Sequence, residues 1–112
     1  MTNILEKILK DKKQSLELIK KEKPLDLLEK NIKGQSFFNF KQTIQNNRGV
    51  SLISEIKKAS PSAGILVDNY DHTNIAKMYV ENGATCLSVL TEETHFLGKL
   101  EHIQDIKKKF KI

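Results

Sequence analysis

Residues 50–64 read VSLISEIKKASPSAG. The run opens with β-branched and aliphatic residues, which predicts a strand over residues 50–57. Its end changes character. Glu55 and Lys57 close an otherwise apolar segment, and Ser60-Pro61 then stops regular structure. A strand that ends in charge and opens into a Pro-containing loop is how parallel α/β proteins build sites at the carboxyl edge of a sheet. Alternation places Ser51, Ile53, Glu55 and Lys57 on one face, with Leu52, Ser54 and Ile56 on the other. Glu55 and Lys57 are then same-side neighbours, their Cα atoms roughly 6.5 Å apart. By spacing alone the pair also reads as a strand-end ion pair facing solvent, which contributes little. Its place at the end of an apolar strand is what favours chemistry.

The flanking segments supply what such a strand needs. Residues 3–22 predict a helix, with Ile4, Leu5, Ile8, Leu9, Leu16 and Ile19 mostly on one face and Thr2 or Asn3 as its cap. Pro24 separates it from a second helix over residues 25–33, with Leu27, Leu28 and Ile32 inward and Gly34 as its stop. Phe37, Phe38 and Phe40 read as a core plug, followed by a short helix over residues 39–45 and a turn over residues 46–49. Beyond the first strand, Asp71 or Thr73 caps a helix to about Asn82, with Ile75, Ala76, Tyr79 and Val80 buried and Gly83 as its stop. Residues 85–91, TCLSVLT, form a second strand, and residues 92–97 a loop. A last helix starts at Gly98 or Lys99, with Leu100, Ile103, Ile106 and Phe110 inward. Strand–helix–strand with about ten helical residues between predicts a parallel unit. Parallel strands need cover on both faces and neighbours on both edges, which two strands cannot supply. The expectation is the first part of a larger α/β barrel or sheet.

Composition narrows the class. The chain has 112 residues, 38% of them hydrophobic and 29% charged, with no Trp, as a soluble globular protein has. The single Cys86 excludes an internal disulfide and fits a reducing compartment. No apolar run reaches the ~18 residues of a membrane span, and the start of the chain is not a secretory signal. A cytoplasmic protein without membrane partners is expected. The net charge of +5 comes almost wholly from Lys, with Arg48 the lone Arg. Nucleic-acid recognition favours Arg and exposed aromatic runs, so the charge reads as solvated helix faces and no nucleic-acid partner is expected. His95 reads as an exposed loop residue. His72 and His102 lie on or beside helices without metal-ligand spacing.

The run Leu52-Ile53-Ser54-Glu55-Ile56-Lys57-Lys58-Ala59-Ser60-Pro61-Ser62 closely resembles the signature of the indole-3-glycerol phosphate synthase family. Leu87-Ser88-Val89-Leu90-Thr91-Glu92-Glu93, followed by His95-Phe96 and Gly98, resembles that family's second strand and loop. The leading helices fit the family's N-terminal extension.

The resemblance implies an incomplete TIM (β/α)8 barrel, a fold of ~250 residues. Residues 1–48 would be the helical extension and residues 49–112 the first two βα units, ending before the third strand. It also implies a cofactor-free and metal-free carbon–carbon lyase of tryptophan biosynthesis. The phosphorylated substrate, 1-(2-carboxyphenylamino)-1-deoxyribulose 5-phosphate, undergoes ring closure, decarboxylation and dehydration. Other enzymes of that pathway are the protein partners it points to. Carried over by position, Lys57 would contact the anionic substrate and act as an acid in dehydration. Glu55 would orient Lys57 and the substrate, Ser60 would line the anion-binding part, and Phe96 would pack on the aromatic ring. The family's main acid, a lysine on the third strand, and its glutamate base lie on strands absent here, so this chain alone is expected to be inactive. The competing expectations are a non-catalytic interaction domain, or a piece that pairs with a separate remainder.

Overall fold

A computed structural model describes residues 3–112. The chain forms two units, one running through Phe37 and the other spanning Phe38–Ile112. In the first, α1 (Ile4–Glu22) starts at Asn3, whose side chain accepts from the Leu5 N–H. Thr2, the alternative cap, lies outside the described residues. Glu6 in the first turn and Lys20 and Lys21 in the last complement the helix dipole. Pro24 caps α2 (Leu25–Ile32), and Gly34 follows with positive φ. Neither helix buries a residue, and the apolar stripes expected to face inward are exposed apart from the half-buried Ile8.

The second unit starts with a correction. Phe38 and Phe40 are no core plug: both are more than half exposed, as is Phe37 at the end of the first unit. Aromatic count alone misled, because three Phe in four residues cannot all face one packed side. Phe38 instead lies under the Lys107 ammonium, 5.7 Å from the ring centre, a cation–π distance. Next comes α3 (Phe40–Asn46), capped by Asn39, whose side chain accepts from the Gln42 N–H.

The central feature is a parallel pair, β1 (Ile53–Ile56) beside β4 (Cys86–Val89), in the register Ile53 to Cys86 through Ile56 to Val89. Both strands are shorter than sequence periodicity predicts. Val50 is almost fully exposed, and pairing begins only after Leu52 receives the Thr85 hydroxyl oxygen on its N–H. The predicted alternation holds within β1: Ser54 and Ile56 are buried, Ile53 and Glu55 exposed. Ile56 sits at the centre of the core with Ala76 and Ile106, and with Tyr70, Ile75, Tyr79, Leu87, Val89 and Phe110 partly buried around it.

Two helices bury that face. Asp71 caps α4 (His72–Glu81), its carboxylate accepting from the N–H groups of Thr73 and Asn74 and from the Thr73 hydroxyl. Those bonds hold the Asp71 carboxyl below its ordinary pKa. Gly83 follows α4 with positive φ. The last helix, α5 (Glu101–Lys109), starts later than expected, and Leu100 and Ile103 are exposed rather than inward. A second sheet was not anticipated. After β1 the chain makes a small antiparallel hairpin, β2 (Ala59–Ser60) with β3 (Gly64–Ile65). Pro61 therefore opens a turn rather than ending order, and Gly64 closes it at φ 67°, a value costly for a residue with Cβ.

Candidate active site

Backbone bonds set the frame at the carboxyl ends of β1 and β4. The Ile56 carbonyl accepts from the Leu90 N–H at 3.1 Å, tying the two strand ends. The Tyr79 hydroxyl donates to the Glu55 carbonyl at 3.1 Å, tying β1 to α4. The Lys58 carbonyl accepts from Leu66 N–H at 2.8 Å, which folds the hairpin back on the strand end. Lys57 is the one residue between β1 and the bend that leads into this hairpin.

On that frame Lys57 Nζ lies 2.8 Å from Glu55 Oε1. Same-side placement, read from alternation, is what brings the two together. The pair projects from the strand face opposite the Ile56 core and stays partly open, at 31% and 48% side-chain exposure. A partly exposed pair contributes little stability, of the order of 0–1 kcal/mol. It presents instead a cation oriented by a carboxylate, with further ammonium N–H donors to meet an anion.

Ser60 ends the first arm of the hairpin. Its Oγ accepts from the Ala63 N–H at 3.2 Å and lies 3.4 Å from the Ser62 hydroxyl. The hydroxyl is thus held by its own turn, at the same strand end as Lys57.

Phe96 sits half-buried in the loop after β4. That loop is organised by Glu92, whose carboxylate accepts from the N–H groups of Thr94, His95 and Phe96. Burial pushes against ionisation of Glu92, but the three N–H bonds outweigh it and hold the carboxyl below its ordinary value. His95 is half-buried rather than the exposed loop residue expected, because its N–H is drawn onto this carboxylate. Gly98 is buried against the strand end: a Cβ there would run into the Leu90 carbonyl oxygen. An open depression of about 300 Å³ runs between the two loops, lined by Lys58, Glu93, Leu97, Gly98 and Lys99.

A second polar cluster lies at the starts of α4 and α5. The rings of His72 and His102 stack with centres 4.0 Å apart, and Tyr70 approaches both. His72 Nε2 is 3.0 Å from Asp105 Oδ2. Burial, then the neighbouring His72 and Lys99, lowers the pKa of His102, against the opposing pull of Asp105 and Glu101. Among the described residues no three His, Cys, Asp or Glu side chains converge as metal ligands. Also among them, no helix is long and apolar enough to cross a membrane.

Sequence reading missed the Glu92 clamp, the hairpin and the histidine stack. Glu92 offered only a weak sign, an acidic residue opening a loop whose next backbone N–H groups it can accept from. The stack joins residues 30 positions apart and has no local sign at all.

The family model of indole-3-glycerol phosphate synthase matches residues 5–112. Curated proteins of that name are similar along most of the chain. The one from Thermoanaerobacter pseudethanolicus is 42% identical over 105 residues, covering 94% of this chain and 40% of that protein. The one from Legionella pneumophila strain Lens is 40% identical over 109 residues, covering 97% and 42%. The one from Desulforamulus reducens is 54% identical over 69 residues, covering 62% and 26%. The chain thus spans well under half the length of these relatives.

Proposed function

The chain belongs to the indole-3-glycerol phosphate synthase family, and from that premise we propose that it forms one wall of the synthase's active site. In this reading β1 and β4 are the first two strands of a TIM barrel, and α4 and α5 belong to its outer ring. The lyase activity belongs to the barrel completed by the strands this chain does not contain.

The reaction sets the demands. As the aromatic carbon attacks the ribulose carbonyl, the carbonyl oxygen must gain a proton. Loss of CO2 then restores the aromatic ring, and the new hydroxyl must leave as water with a second proton while the adjacent ring carbon gives up its proton to a base. Both steps need positioned acids. The substrate's carboxylate and phosphate need cations and hydrogen-bond donors.

The observation that carries the proposal is the Lys57–Glu55 pair at the mouth of β1, ordered at 2.8 Å yet open on the face away from the core. Lys57 meets the substrate anion in the ground state and donates to the departing hydroxyl in dehydration. Glu55 keeps the ammonium aimed. The Ser60 hydroxyl, fixed by its turn, lines the anion-binding part of the pocket, and Phe96 covers the substrate's aromatic face.

The test is to join this chain to the segment that completes the barrel in a family member. Indole-3-glycerol phosphate formation is then followed from the carboxyphenylamino substrate. The completed enzyme is expected to turn over. A well-folded completed barrel that binds no substrate and makes no product overturns the assignment, and leaves this chain as a non-catalytic piece.

A further inference from the structure

The loop from Glu92 to Gly98 is folded around a single side chain. Glu92 Oε1 accepts from the Thr94 N–H at 3.1 Å, and Oε2 accepts from His95 at 2.6 Å and from Phe96 at 3.0 Å. At the base of the loop, the Glu92 carbonyl accepts from the Gly98 N–H at 2.8 Å. Three successive N–H groups converging on one carboxylate make an anion-holding nest, and here the anion is supplied by the chain itself. The consequence is geometric. The backbone is pinned up to Phe96 by the clamp. After Phe96, Leu97 takes φ 55° and Gly98 lies hard against the Leu90 carbonyl, which pins the other side. The Phe96 ring is therefore presented from a backbone fixed on both flanks.

We propose that Glu92 is a positioning residue for substrate binding: its carboxylate holds the loop after β4 in the shape that sets Phe96 against the aromatic part of the substrate. The proposal rests on the role given to Phe96 above. A loop without the clamp must be ordered when substrate binds, and that cost falls on affinity. The aromatic face is covered in both ground and transition states, so its loss raises KM while kcat changes little.

The experiment uses the completed enzyme. Glu92→Gln keeps the side-chain shape but loses the charge and one acceptor oxygen. It is expected to raise KM about tenfold, as the loss of one charge-assisted bond implies, with kcat within about threefold. Hydrogen exchange in a peptide spanning residues 92–98 should speed up by a similar factor, with the peptides of β1 and α4 unchanged. Glu92→Asp, which keeps the charge on a shorter stem, should recover part of both effects. It carries the same comparison if Glu92→Gln does not accumulate as folded enzyme. Unchanged exchange across residues 92–98 overturns the clamp. A lowered melting temperature with unchanged KM overturns the positioning role, since that is all a structural bond would do. Phe96→Ala separates the proposal from its premise. If Phe96→Ala leaves KM unaltered, the assignment of Phe96 fails, whatever Glu92→Gln does to exchange. If Phe96→Ala raises KM and Glu92→Gln does not, the fault lies with Glu92.

Discussion

At the scale of single residues, Lys57 and Glu55 form a charge pair that does little to hold the protein together. Their 2.8 Å contact is partly exposed, and its removal exposes no buried partner. The core residue beside them on the strand, Ile56, points the other way and is fully buried. The chemistry proposed for Lys57 is therefore separable from the core packing of its neighbour Ile56. In the completed enzyme, Lys57→Met is expected to shift unfolding free energy by less than about 1 kcal/mol, the worth of a partly exposed ion pair. The same substitution should lower kcat/KM by about 100-fold or more, the usual loss when a positioned proton donor is removed. Chemical denaturation and steady-state kinetics on one preparation check both. A stability loss of several kcal/mol with activity intact would make the pair a structural strut and remove Lys57 from the site.

At the scale of elements, α4 and α5 meet over β1 and β4 through Ala76 and Ile106, and through the histidine stack at their starts. The groups facing His102 are Tyr70 ahead of α4, His72 on α4, Lys99 ahead of α5, and Glu101 and Asp105 on α5. With its pKa lowered, folded His102 binds a proton more weakly than the unfolded chain does. Well above about pH 6.5 neither state holds that proton, and stability does not vary with pH through this residue. As pH falls below that, the unfolded state gains the proton first and folding weakens, until the lowered value is reached. Stability of the completed barrel should thus fall more steeply between about pH 7 and 5.5 in the wild type than in His102→Phe. Denaturant midpoints across that range decide it, and equal slopes would sink it. Asp71 and Glu92, held below their ordinary values, lose their contributions only at lower pH, as it falls through the carboxylate range. This cluster also marks where sequence stops being legible. The parallel β1–β4 pair, the helix between them and the Glu55–Lys57 contact all follow from periods of 2 and 3.6 and from caps such as Asp71. Those are local signals, carried by residues within a few positions of one another. The His72–His102 stack and the Gly98–Leu90 contact are tertiary, so no local period announces them. The phenylalanines failed for a related reason: hydrophobicity says that a residue prefers burial, not that the fold has a place for it.

At the scale of the whole molecule, the second unit has one well-packed face and one unfinished sheet. Among the described residues the buried apolar ones are few, Ile56, Ala59, Ala76, Cys86 and Ile106, and they all lie in this unit. On the other face of β1, Ile53 is half exposed, beside the open charges of Glu55 and Lys57. Among the described residues each of the two parallel strands pairs only with the other, so the outer edge of each offers unpaired N–H and C=O groups. A two-stranded sheet is marginal in water unless further strands or helices bury it, and here α4 and α5 cover only one side. The family's barrel would supply both missing edges and the missing face. The chain by itself is therefore expected to unfold gradually on heating, to bind an apolar dye, and to make no indole-3-glycerol phosphate. Addition of the segment that completes the barrel should convert the gradual loss of ellipticity into one sharp transition and displace the dye, because closing the sheet couples all the strands at once. Circular dichroism with dye fluorescence, on the chain alone and on the mixture, reads both states. A sharp transition from a monomeric, dye-silent chain would mean that β1, β4 and their two helices suffice as a folding unit, and the open edges would then need another account.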